Sequence, residues 1–369
     1  MKIDIILPYK EIFSRSKASS VSITIKNSMK YSQYKNEISV YGQYTDNPIF
    51  KKNFIGIKTN RFLHGGNNLS IVKNYLKIRK HQNRDNTIIE IHNRPYLFNF
   101  LVKKINLPVI LYYHNDPLTM KGSKFLQERK NIIKKAAGIF FVSNYIRDRF
   151  LSGIVDNPNN IFVLPNSLDR NLKSKNTKKK EVLFVGKLVP EKGVDIYVEA
   201  VKLIANKFID WKFYIIGSSK AGLKKPETRF EKKIINSFLS IGKNVKYYGF
   251  LPHSRVCNIM QKASILVVPS IWNEPFGLTA LEGLANRQVV IASKVGGLID
   301  IVGRRGILIQ KIDQENVASK LRKLMKNKDE LNKYQNNAWS NYCFDQKTIS
   351  EKQDKIRQDI IKKYFYFKP

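Results

Sequence analysis

Short runs rich in isoleucine, valine, leucine and phenylalanine recur through the first half of the chain. They lie at Ile3–Leu7, Ile38–Tyr41, Ile88–Ile91, Val109–Tyr113, Ile139–Val142 and Ile161–Leu164. Helix-like stretches alternate with them, and this rhythm predicts a mostly parallel sheet covered on both faces, because parallel strands need crossover connections. The rhythm stops at Asn166–Lys180 (NSLDRNLKSKNTKKK), a polar segment ending in a lysine run that reads as a solvated linker. It restarts with Val182–Val185, Phe213–Ile216, Val245–Tyr248, Ile265–Val268 and Val289–Ala292. Between the first two of these, Val194, Tyr197, Val198, Val201 and Ile204 repeat at helical spacing and form one apolar stripe. The expectation is an α/β chain of two doubly wound domains, residues 1–168 and 181–345, joined by a linker at 169–180. A charged helical tail, 346–369, is expected to pack back on the first domain. Such folds bind ligands at the carboxyl ends of their strands, so a cleft between the domains is expected, with the linker as its hinge.

Composition agrees with two cores: 369 residues with 43% hydrophobic content exceed the usual single domain. Cys257 and Cys343 match no zinc or redox spacing, which argues against a disulfide framework and for a reducing compartment. The opening run Met1–Tyr9 is broken by Asp4 and Pro8 and is too short for a signal peptide, and no run approaches a membrane span. A cytoplasmic location is therefore expected, with peripheral attachment to the cytoplasmic face of the inner membrane left open. The net charge of +37 attracts anionic lipids, nucleic acids or phosphorylated substrates without choosing among them.

The most informative stretch is Pro269–Ala285, PSIWNEPFGLTALEGLA, directly after the run Ile265–Val268. Pro275 and Gly277 punctuate a loop, and Leu278, Leu281 and Leu284 place a helix start near Gly277. Free amides of Phe276, Gly277, Leu278 and Thr279 at such a terminus form a ready phosphate site. Glu274 stands before this helix and Glu282 about two turns into it, so one ligand can touch both. A carboxylate accepts hydrogen bonds from sugar hydroxyls, which suits Glu274 to a transferred sugar and Glu282 to a ribose. In the first domain His92 and His114 each stand at the end of a β run, facing the expected cleft.

The Glu274 to Glu282 spacing resembles the E-x7-E signature of retaining glycosyltransferase family 4, whose members have the GT-B fold of two Rossmann-like domains. Gly186-Lys187, with Lys192-Gly193 following, resembles the family segment whose two basic side chains hold the donor diphosphate, with Lys187 where arginine is usual. Lysine keeps the charge and loses the two-pronged grip on phosphate oxygens. Pro165-Asn166, with Ser167 in place of glycine, resembles the family's interdomain turn, and Val295-Gly296-Gly297 and Asp300 resemble a further family stretch. Phe250 and Leu251 match the place where backbone groups contact the nucleotide base, and His114 the histidine that contacts the donor sugar. His92 is assigned to the acceptor side. The loop Ser14–Ser22 lacks the family's glycines, and the hydroxyls of Ser19 and Ser20 are expected to take over its contacts.

The resemblance implies a retaining, metal-independent transferase. Its donor is a nucleotide-diphosphate sugar of UDP or GDP type, its acceptor a glycan or lipid-linked molecule, and it needs no other cofactor. The first domain is the acceptor side, and bacterial lipopolysaccharide or surface polysaccharide is the expected product. Glu274, His114, Lys187 and Lys192 are the catalytic candidates. The rivals are a basic nucleic-acid- or membrane-binding scaffold on the same fold and a nucleotide-sugar epimerase; the absence of an RNA-recognition signature or zinc-finger spacing makes nucleic acid the less favoured partner.

Overall fold

The structure is a computed structural model that describes residues 1–15, 19–59, 66–80, 86–172, 178–220, 222 and 225–366. It divides into two compact units, Met1–Ser167 with Phe344–Pro369, and Leu168–Cys343.

The first unit carries seven strands, β1 (Lys2–Ile6), β2 (Ile38–Gln43), β3 (Phe54–Ile57), β4 (Thr87–His92), β5 (Val109–Tyr113), β6 (Gly138–Phe141) and β7 (Ile161–Val163). Their order is β3-β2-β1-β4-β5-β6-β7, and every pairing is parallel. Strand order reverses between β1 and β4, the switch point at which ligands bind in such sheets. The six runs legible in the sequence are six of these strands. Phe54–Ile57 was missed: it is a four-residue edge strand interrupted by Gly56 and only partly buried.

The C-terminal helix, Gln346–Tyr366, clusters with this unit. Ile349, Ile360 and Ile361 complete a core with Ile88, Ile110 and Phe140. Gly138 admits that helix, since a Cβ there would lie 2.8 Å from Ile360 Cδ1. The helix also brings Arg357 to Glu90, with Nε and Nη2 each 2.8 Å from a carboxylate oxygen and both side chains at most 1% exposed.

The second unit holds β8 (Lys179–Val185), β9 (Lys212–Ile216), β10 (Val245–Tyr247), β11 (Ala263–Val268), β12 (Val289–Ser293) and β13 (Ile307–Ile309). The order is β10-β9-β8-β11-β12-β13, again all parallel, with its switch point between β8 and β11. The predicted stripe Val194, Tyr197, Val198, Val201 and Ile204 is buried in this core. The missed strand is again at an edge of its sheet: Ile307–Ile309, three residues long.

The segment read as a solvated linker is tied down at both of its described ends. The Asn171 amide donates to the Ala285 carbonyl at 2.9 Å, and Lys178 Nζ donates to the carbonyls of Gln261 and Asn286 at 2.6 and 2.5 Å. Burial pushes the Lys178 ammonium down to about 7, with Arg287 adding to the effect. Lys179 and Lys180 open β8, and residues 173–177 lie outside the described residues.

Candidate active site

At the switch point of the second sheet, the loops leaving β8 and β11 are stitched together by backbone that only glycine permits. Gly193 has φ +65°, and a Cβ on it would lie 1.9 Å from the Pro269 carbonyl oxygen; the Ile271 amide donates to the Glu191 carbonyl at 3.0 Å. Lys192 is thereby laid against the end of β11. Its Nζ stands 2.5 Å from Glu274 Oε1 and 5.6 Å from the centre of the Trp272 ring, and the Ser270 hydroxyl donates to the same carboxylate oxygen at 2.8 Å. Glu274 is nearly buried, its side chain 10% exposed, against 28% for Lys192. Each side chain of this pair holds the other in register, while two hydrogens of the ammonium remain for a ligand.

The loop after β12 supports Glu274 from behind. A Cβ on Gly296 would lie 2.4 Å from the Glu274 carbonyl oxygen and one on Gly297 2.5 Å from that of Pro275, and the Gly297 amide donates to Glu274 O at 2.7 Å. The two glycines therefore let one loop lie flat on another, a reason for the pair that the sequence alone did not disclose. Asp300 lies in the short helix that follows, where its carbonyl accepts from Arg305 Nη2 at 2.6 Å.

The helix predicted near Gly277 is Leu278–Ala285, with Gly277 preceding it at φ +107° and Phe276 buried beneath. The first turn of a helix has no internal partners for its amides, and its dipole makes that end positive. Leu278 is half exposed there. Lys187 is exposed just beyond β8, next to Gly186, whose amide donates to the Ile216 carbonyl at 3.0 Å.

Glu282, one face along that helix, meets a residue that sequence reasoning missed. His253 Nε2 lies 2.8 Å from Glu282 Oε1, and Cys257 Sγ lies 3.7 Å from the same ring. Hydrogen bonds to Cys257 and Glu282 raise the His253 imidazole to about 10, so it is a cation at neutral pH. The only sequence signal was its place two residues after Leu251, at the start of the helix His253–Lys262. Phe250 is half exposed and Leu251 partly buried.

In the first unit the two histidines converge, because the register of β4 on β5 pairs His92 with Tyr112 and leaves His114 at the neighbouring strand end. His92 Nδ1 and His114 Nε2 are 2.8 Å apart, and the His114 amide donates to Asn93 Oδ1 at 2.8 Å. His92 is buried, stacked on Tyr112 at 4.5 Å, and its Nε2 has no protein partner among the described residues. Burial, reinforced by Arg357, lowers the His92 imidazole to about 3; burial and then His92 hold His114 well below the ordinary histidine range.

Both rings are therefore neutral near pH 7, and folding excludes the proton that an unfolded His92 would bind below its ordinary pKa. Stability is accordingly expected to fall as pH drops from about 6.5 towards 3, His92 contributing on the order of 1 kcal/mol per pH unit. Thermal melts across that window check this. A His92→Asn chain should show a shallower slope, and an unchanged slope assigns the acid sensitivity to other groups.

Of the loop Ser14–Ser22, residues 16–18 lie outside the described residues. Ser19 caps the helix Ser20–Tyr31, its hydroxyl accepting from the Ser22 amide at 3.2 Å, and Ser20 opens that helix. Asn166 Oδ1 accepts from the Thr24 hydroxyl at 3.2 Å and the Ser167 carbonyl accepts from Asn27 Nδ2 at 3.1 Å, which ties this turn to the same helix.

The paired Lys192 and Glu274, the glycine-stitched loops and the helix opening at Gly277 all fall inside one recognised segment. Residues 166–340 match the model of the family described as glycosyl transferases group 1. An uncharacterized glycosyltransferase of Methanocaldococcus jannaschii is 33% identical over 233 residues, 62% of this chain and 62% of that protein. The lipopolysaccharide 1,2-N-acetylglucosaminetransferase of Salmonella typhimurium is 27% identical over 121 residues, 33% of this chain and 32% of that one. The matches thus span less than two thirds of these relatives' lengths. Among solved structures, Anabaena HepE in complex with UDP superposes with a TM-score of 0.74 at 17% identity, covering 97% of this chain and 100% of that chain. That likeness shows the fold, two Rossmann-like α/β units of the GT-B kind. The group 1 segment coincides with almost all of the second unit.

Proposed function

We propose that this chain is a retaining glycosyltransferase that moves a sugar from a UDP- or GDP-type nucleotide-diphosphate donor to a glycan or lipid-linked acceptor, without a metal ion. The observation that carries the reading is the Lys192–Glu274 pair at the switch point, beside the helix that opens at Gly277. Breaking a glycosyl phosphate bond requires stabilising a leaving diphosphate and an oxocarbenium-like sugar, and both tasks are electrostatic. In this reading Lys192, Lys187 and the first amides of the helix neutralise the phosphate. Glu274 accepts hydrogen bonds from the sugar hydroxyls, and Ser270 and Lys192 fix its orientation. Glu282 uses the oxygen not held by His253 to accept from the ribose, and the backbone at Phe250 and Leu251 meets the base. His114, neutral and hydrogen-bonded with His92, is the catalytic candidate of the first unit, which we assign to the acceptor.

Retention rests on the resemblance of the Glu274 and Glu282 segment to a retaining family. The acceptor then attacks from the leaving group's own face, and the departing phosphate oxygen takes its proton. The names of the relatives support a glycan product, and surface polysaccharide or lipopolysaccharide synthesis is the setting we favour. The Anabaena neighbour's UDP supports a nucleotide donor. No helix among the described residues is long and apolar enough to cross a membrane, and the charge of +37 supports work at the cytoplasmic face of an anionic one.

Thermal-shift measurements against UDP- and GDP-sugars, with chelator present, test this. A true donor at a hundredfold its dissociation constant stabilises by about 2.7 kcal/mol, a shift of several degrees. No shift with any member of the panel sinks the donor assignment. A shift that vanishes with chelator sinks metal independence, and release of an altered nucleotide sugar without acceptor makes the chain an epimerase.

A further inference from the structure

Val155 and Phe125, the two most exposed large apolar side chains among the described residues of the first unit, stand with Leu126 at one tip. Phe125 is 65% exposed, Leu126 40% and Val155 98%. Leu126 lies against the turn that carries Val155, since a Cβ on Gly153 would be 3.6 Å from Leu126 Cδ1. The tip is braced from inside: buried Arg129 donates through Nη1 to the Lys124 carbonyl at 3.0 Å and through Nη2 to the Ser152 carbonyl at 2.6 Å. Three apolar side chains are thus held out in water by a fixed backbone.

Around them positive charge predominates. Residues 121–135 carry six cationic side chains against the single carboxylate of Glu128. That carboxylate is half buried and occupied in capping the helix Leu126–Lys135, its Oε2 accepting from the Phe125 amide at 3.0 Å. Lys124 stands 5.8 Å from the centre of the Phe125 ring. Leu126, Lys130 and Lys134 follow one another at i, i+4 and i+8, so the apolar tip runs on into an exposed lysine stripe on the same helix face. Asp156, exposed beside Val155, borders the tip on its other side.

We propose that this face, with Phe125, Leu126 and Val155 inserted and Lys124, Lys130 and Lys134 on the headgroups, docks the protein on an anionic lipid bilayer. An aromatic and two aliphatic side chains beside lysines match the boundary between acyl chains and anionic headgroups, where the apolar groups leave water and the ammonium groups meet phosphate. A nucleic acid would use the lysines and leave Leu126 and Val155 in water. The inference deepens the membrane setting proposed above by assigning the surface that makes contact.

Co-sedimentation of the full chain with phosphatidylcholine vesicles, with and without phosphatidylglycerol, tests it. Because the whole molecule is cationic, the comparison that decides is between two triple variants of equal net charge. Lys124→Gln with Lys130→Gln and Lys134→Gln should weaken binding to phosphatidylglycerol vesicles by about a hundredfold, at roughly fivefold per lysine. Lys320→Gln with Lys326→Gln and Lys328→Gln, exposed lysines of the second unit, should leave it within about twofold. Phe125→Ser with Leu126→Ser should lower partitioning about tenfold at unchanged charge, and the emission of Phe125→Trp should shift to the blue on these vesicles. Equal loss in the two triple variants, full binding by the double serine variant or an unmoved emission overturns the proposal. So does weakened binding to polyuridylate with vesicle binding intact, which would make the face a nucleic-acid site. None of these readouts uses a nucleotide sugar, so failure here leaves the glycosyl-transfer reading standing.

Discussion

Replacing Glu274 by alanine is expected to lower sugar transfer by about 10²- to 10³-fold, the usual cost of removing one preorganised polar group from a transition-state site. The carboxylate is fixed by the Lys192 ammonium at 2.5 Å and the Ser270 hydroxyl at 2.8 Å, and its backbone is clamped by Gly296 and Gly297. Such rigidity serves orientation of a substrate and adds little to a fold. Loss of the side chain leaves Lys192, 28% exposed, free to hydrate, and one buried hydroxyl short of a partner, a stability cost of about 1–2 kcal/mol. Turnover should therefore fall far more than melting temperature. Glu274→Gln keeps the shape and Ser270's hydrogen bond while discarding the charge, and should fall between the parent and alanine. Steady-state rates with the donor found by thermal shift, alongside melts of the same preparations, decide the matter. A Glu274→Ala chain that melts lower yet turns over at the parent rate would make this carboxylate a structural brace and remove the basis for the site.

Much of this was legible in the chain because burial writes itself into sequence. The eleven strands anticipated are dense in apolar side chains. The two overlooked, Phe54–Ile57 and Ile307–Ile309, are edge strands whose few residues are incompletely covered. The Glu274 and Glu282 spacing, the lysines near Gly186 and Gly193 and the helix start at Gly277 could be read because each lies within one local segment. Contacts between distant segments could not. His253 reaches Glu282 across 29 positions, and His92 reaches His114 across 22 only because β4 and β5 pair in one particular register. The lysine run misled for a related reason: Lys178 points inward to two carbonyls, which a count of charges does not reveal.

The C-terminal helix supplies the second large effect. Arg357→Ala is expected to destabilise the first unit by about 3–5 kcal/mol, seen as a lower melting temperature and denaturant midpoint, because it strands the buried Glu90 carboxylate without its cationic partner. Arg357 also donates to Asp354 at 3.0 Å, and Asp354 accepts from the Ser32 hydroxyl at 3.0 Å and the Gln33 amide at 2.9 Å, so one guanidinium links the tail helix to both the sheet and the helix Ser20–Tyr31. Glu90 in turn accepts from the Tyr112 hydroxyl at 3.2 Å, and Tyr112 stacks on His92, which puts the network directly under the histidine pair. A buried ion pair costs much desolvation, so replacing both partners with apolar groups of similar size should cost far less than removing one. The expected order is therefore Arg357→Ala least stable, Glu90→Leu with Arg357→Met closer to the parent, and the parent itself. If the double variant is as unstable as Arg357→Ala, the penalty comes from lost packing of the tail helix, and the stranded charge is not its cause.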